Sequence, residues 1–208
     1  MVSDMGSENT ETTISPANEE KTQPPPPATT LRYQSPETLF DELPQIRVFM
    51  RSRPKEGEGP RDFLERLRAS PTPEEALTFI AFAVRPKMAV WWGYECLRQR
   101  PEALNAEDRQ LMEQVAIWTS DPTDENRWRV MRTALYAPQR TPPVFLGLAA
   151  GWSGGGIAPN DPIAVPAWRT PKAVAKAVLT ALAGVDLEER GPLLSRYVAA
   201  ADTLFPGA

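Results

Sequence analysis

Six times along this chain a short side-chain oxygen is followed by proline, by acids, or by both. The sites are Ser35-Pro36-Glu37, Thr72-Pro73-Glu74-Glu75, Asn105-Ala106-Glu107-Asp108, Thr123-Asp124-Glu125-Asn126, Thr170-Pro171-Lys172 and Asp186-Leu187-Glu188-Glu189. The first amides of a helix have no intrahelical acceptor, and a Ser, Thr, Asn or Asp ahead of them supplies one. Proline at the first helical position forfeits no bond, and carboxylates in the first turn face the positive end of the helix dipole. Behind these starts apolar residues recur at three and four, as in Leu111, Val115 and Trp118, then Trp128, Met131 and Leu135, then Leu194, Tyr197, Val198 and Ala201. No comparable alternating run of β-branched residues is present, so the chain is expected to be all-α. Helices are predicted over 36–50 (broken at Pro44), 60–69, 73–84, 87–99, 106–119, 124–136, 142–152, 171–184 and 187–204. Short connections containing Pro or Asp favour antiparallel neighbours, in a compact helical bundle or a short array of antiparallel helical hairpins.

The first 30 residues depart from this pattern. They hold Asp4, Glu8, Glu11, Glu19 and Glu20 against Lys21, few apolar side chains, and an unbroken proline run from Pro24 to Pro27. Such a segment has too little apolar surface to offset chain entropy, so residues 1–30 are expected to form a disordered acidic tail, with the prolines acting as a stiff spacer. Residues 31–208 are expected to form a single helical domain, long enough to bury roughly 70% of its unfolded surface. No basic start followed by an apolar run marks a signal peptide, and one cysteine suits a reducing compartment, so a cytoplasmic location is expected. Thr141 to Asn160 carries no charge, but its prolines and glycines leave an apolar stretch far below the roughly 20 residues that span a bilayer. A buried central helix over 142–152, and no membrane span, is the expectation.

The chain contains no histidine and one cysteine. That removes His/Cys metal centres, Ser-His-Asp and Cys-His pairs, and any imidazole proton shuttle. Gly151-Trp152-Ser153-Gly154-Gly155 matches the G-x-S-x-G string of a nucleophile elbow, which requires a strand before the serine, a helix after it and a base beside it. Here a predicted helix precedes Ser153, a glycine loop follows, and only Lys172 or Lys176 would serve as base. The end of a helix accounts for the same residues. Walker and dinucleotide contexts are missing. The acid pairs Glu74 and Glu75, Asp124 and Glu125, and Glu188 and Glu189 fall in first turns, where dipole stabilisation accounts for them. Cys96 reads as a core thiol. No catalytic, cofactor-binding or metal-binding residue is therefore assigned, and no cofactor is expected. Outside the tail acids and bases balance, which leaves no positive field for phosphates, so nucleic acid is not an expected partner. The Arg-rich stretch from Arg127 to Arg132 is the local exception, with Arg129 and Arg132 read as a solvated helix face.

Three stretches carry a resemblance: Ala89-Val90-Trp91-Trp92; Trp118-Thr119-Ser120-Asp121-Pro122-Thr123-Asp124-Glu125-Asn126-Arg127; and Gly151-Trp152-Ser153-Gly154-Gly155-Gly156-Ile157-Ala158-Pro159, followed by Thr170-Pro171-Lys172-Ala173-Val174-Ala175. Their order and spacing, from about Phe63 to Leu182, resemble a bacterial all-helical family of unknown function with members in loci that encode type VI secretion components. The resemblance implies a bacterial protein in an adaptor, chaperone or accessory role, and it transfers no catalytic residue. The functional expectation is a non-catalytic interaction protein that holds a protein partner, a secretion component or effector. The alternative is an enzyme of unknown class using carboxylates or Ser153 near the glycine loop. Candidate partner contacts are Trp91, Trp92, Trp152 and Trp168. Trp91 and Trp92, adjacent on a helix, point about 100° apart. Either a wide core stripe holds both against Phe79, Phe82 and Trp118, or one stands as an aromatic anchor beside the glycine loop.

Overall fold

A computed structural model describes Met1, residues 30–158 and residues 161–205. The expected tail over 1–30, apart from Met1 and Thr30, lies outside the described residues. Among these residues the helices are α1 (Pro36–Glu42), α2 (Ile46–Phe49), α3 (Pro60–Arg68), α4 (Glu75–Ala83), α5 (Pro86–Leu97), α6 (Ala106–Ser120), α7 (Asp124–Tyr136), α8 (Pro142–Gly151), α9 (Arg169–Ala183) and α10 (Leu187–Ala199). Tight 3-10 turns cover Pro101–Ala103 and Asp202–Leu204. Extended pairing among the described residues is limited to the isolated bridges of Leu31 with Val84 and Gly156 with Ala164.

The all-α expectation is met, and the local reasons can be seen atom by atom. Ser35, Asn105 and Thr123 accept the amides of Thr38 at 3.1 Å, Asp108 at 2.7 Å and Asn126 at 3.3 Å. The other three starts close differently. α4 begins at Glu75, where the Thr72 carbonyl, rather than its side chain, accepts the first amide. Asp186 likewise works through its carbonyl, which accepts from Glu189 and Arg190. Thr170 lies inside α9, which starts at Arg169; its hydroxyl donates to the Trp152 carbonyl at 2.6 Å. Pro171 is tolerated there because the amides of a first turn have no intrahelical acceptor to lose. α10 stops at Ala199, and the last predicted turn tightens into the 3-10 segment instead.

Two helices are buried on every side. α8 is the expected one, with Val144, Leu146, Leu148, Ala149 and Ala150 in the core. α4 is the other: every residue from Ala76 to Ala83 is buried. α9 lies against α8, α4 and α5 and joins the two centres, while α6 and α7 cover α8 and α3 covers α4. The approach of α5 is close enough that a Cβ on Gly93 would sit 2.6 Å from Leu146 Cδ1 and 3.3 Å from Val174 Cγ1. A relay of rings, Phe40 to Phe63 to Phe79 to Phe205, with centroids 6.0, 4.8 and 5.9 Å apart, runs from α1 through α3 and α4 to the C-terminal segment.

The first and last described segments are stitched together. The Thr30 hydroxyl donates to the Leu204 carbonyl at 2.5 Å, and the Thr30 carbonyl accepts the Arg85 amide at 2.9 Å. Arg61 donates to the carbonyls of Asp202 at 3.2 Å and Phe205 at 2.7 Å. No helix among the described residues is long and apolar enough to cross a membrane.

Candidate interaction surface

The glycine loop that follows α8 is shaped around Arg127. This side chain on α7 is only 5% exposed; it donates through Nη1 to the Gly151 carbonyl at 2.9 Å and through Nε and Nη2 to Asp124 Oδ1 at 3.1 and 3.0 Å. Its guanidinium also lies 4.0 Å from the centre of the Trp128 ring. Gly155 has φ 65°, and a Cβ there would fall 2.5 Å from Arg127 Nη2, so conformation and space both require glycine. Beyond it the loop doubles back, with Ile157 donating to Ile163 at 3.1 Å and Val165 to Gly155 at 3.3 Å.

Ser153 is occupied locally: its hydroxyl donates to the Ala150 carbonyl at 2.6 Å, satisfying an acceptor at the end of α8. The two lysines considered as its base are placed on aromatic rings. Lys172 Nζ lies 5.2 Å from the Trp168 ring and 5.3 Å from Phe49, and Lys176 Nζ lies 5.8 Å from Phe145. Cys96 is a core residue, and burial, with Glu95 beside it, pushes its thiol well above the ordinary value and keeps it protonated.

The four candidate tryptophans separate. Trp92 is 0% exposed and donates its indole N–H to the Tyr197 carbonyl at 2.9 Å, so it belongs to the core and presents nothing to a partner. Trp91 is half-buried against the core on the same helix. Trp152, where α8 ends, and Trp168, where α9 begins, are half-buried at the two ends of the loop, and each ring is faced by a cation of α9. Arg169 lies 4.8 Å from the Trp152 ring, and Lys172 lies over Trp168. Basic residues at the start of a helix oppose its dipole by about 0.3–1 kcal/mol, and cation–ring contacts of about 0.5–1 kcal/mol offset that cost. The missing acid in the first turn of α9 was the sequence signal for this cluster. Phe49 joins it from α2 through Lys172 and rests on Phe82 with ring centres 6.1 Å apart. Its signal was weaker, an apolar Val48-Phe49 step on a helix too short to show a period. Arg32 ties the cluster to the N-terminal segment by donating to the Ala167 carbonyl at 3.0 Å.

A largely apolar hollow of about 210 Å³ lies beside the same loop, between Ala158 and the side of α7 that carries Trp128, Met131, Leu135, Tyr136 and one charged residue, Arg132. Family comparison adds one result: the model of a family of unknown function matches residues 63–205. The chain belongs to the DUF6931 family. The DUF6931 segment takes in two thirds of α3, α4 to α10, the glycine loop, Arg127 and the three candidate tryptophans that are partly exposed, whereas Phe49 precedes it. No curated protein and no solved structure matches the chain.

Proposed function

We propose that this DUF6931 member is a non-catalytic interaction protein, an adaptor, chaperone or accessory factor of a bacterial type VI secretion system working in the cytoplasm. It holds a protein partner on the face that carries Trp152 and Trp168. The observation that carries this reading is the pair of half-buried indoles at the two ends of one loop, each faced by a cation of α9, with buried Arg127 holding the start of that loop at the Gly151 carbonyl. Rigid aromatics beside Arg or Lys are the residues on which interface energy concentrates. The largely apolar hollow against α7 supports the same reading, since a groove suits a partner segment, and Ser153 is not part of its lining. The secretion assignment rests on the resemblance of the three motif stretches.

Affinity capture from a bacterium carrying such a locus, comparing the natural chain with Trp152→Ala and Trp168→Ala, tests the proposal. A secretion component or effector should co-purify with the natural chain and fall at least about tenfold, equivalent to about 1.4 kcal/mol, in variants whose melting stays well above the capture temperature. Equal capture by folded variants, or no secretion component enriched, would overturn it.

A further inference from the structure

The start of α6 and the start of α8 meet at a buried carboxylate. Asp108 is 6% exposed, and its Oδ1 accepts the Thr141 hydroxyl at 2.5 Å. Thr141 is the residue before α8, yet its side chain bonds to none of that helix's amides. Asp108 Oδ2 has no hydrogen-bond partner and no Lys or Arg pairs with the carboxylate among the described residues. Oδ2 keeps contact with solvent on the side of the cavity that Asp108 lines, so its free lone pairs are met there by water or by a ligand's charged head.

Asp108 lines a cavity of about 350 Å³, at the lower end of the size that takes a small ligand. Leu111, Ala137, Pro138 and Val144 supply apolar wall, Glu107 adds a second acid, and no basic residue is part of the lining. An anion would meet repulsion there, and a purely apolar guest would leave Asp108 unmet. We propose that this cavity binds a small organic monocation with an apolar body, a guanidinium or ammonium on an alkyl chain, its charged head on Asp108 and its chain along Leu111, Ala137 and Val144. A free alkylguanidine and the side chain of an arginine or lysine in a partner offer the same chemistry.

Titrating the full chain with butylguanidinium chloride, while following methyl resonances of Leu111, Ala137 and Val144, tests this. Saturable shifts confined to these methyls are expected, with no such response to the neutral pentanamide. Asp108→Asn, which keeps an acceptor for Thr141, should weaken binding at least about tenfold. Ala137→Leu fills the cavity without touching the carboxylate and should abolish the shifts. Comparable saturation by N-acetylarginine methylamide would assign the site to a partner's side chain, and saturation by butylguanidinium alone would assign it to a free cation. No saturable shift with either cation, an equal response to pentanamide, or folded variants that respond like the natural chain would overturn the proposal.

Discussion

The carbonyl of Tyr197 accepts the indole of Trp92, while its phenol hydroxyl lies buried with no partner among the described residues. Burial pushes that phenol up to about 12 from an ordinary value near 10. Its neutral form is the one the fold favours, so the stability linked to it is complete below pH 10 and is lost as pH rises toward 12. Tyr197→Phe removes the unmet hydroxyl. It should leave stability at pH 7 unchanged or raise it by up to about 1 kcal/mol, and should flatten the alkaline decline; urea unfolding across that range measures both. A loss of more than about 1 kcal/mol at neutral pH would show that the hydroxyl has a partner. The neighbouring indoles make a matched pair: Trp92→Ala should cost about 3–5 kcal/mol, and Trp91→Ala, whose ring is partly exposed, less. Equal losses in thermal melts would contradict the asymmetry of their burial.

At the scale of elements, what could be read in advance was what the chain states locally. Ser35, Asn105 and Thr123 meet amides three residues on, so their helices were legible from a few letters. Thr170 shared their spelling, but the Trp152 carbonyl, delivered by the end of α8, recruits its hydroxyl, and nothing within a turn of Thr170 records that. α8 was recognised as central because it lacks charge; Ala76 to Ala83 of α4 lacks charge as well and is as thoroughly enclosed, so the same signal was there to be read. Arg127 was the largest omission from the candidate site. Its pairing with Asp124 is local, but its burial depends on a carbonyl 24 residues away and on a glycine that makes room. Gly155→Ala should therefore cost about 1 kcal/mol or more, whereas Gly154→Ala, with open space at its Cβ position, should be close to neutral in chemical denaturation. If both were equally mild, the loop would not be braced as described.

At the scale of the whole molecule, the core is broader than the family segment. Leu31 and Phe40, which precede residue 63, are buried in the same apolar cluster as α4 and the C-terminal Phe205. The contact between Thr30 and Leu204 carries this furthest. With the two ends of the described fold within hydrogen-bond reach, the backbone comes close to tracing a ring, and the point at which a ring is opened need not matter to what fills its interior. A circular permutant that joins residues 205 and 30 through a few glycines, and is opened between the exposed Glu56 and Gly57, should keep the natural helix content by circular dichroism and a single cooperative melt. Loss of that cooperativity would mean that covalent order, as well as the contacts, holds the fold. In the permutant α3 leaves the ribosome first and α1 and α2 last, so the segment outside the family match would close the core instead of opening it.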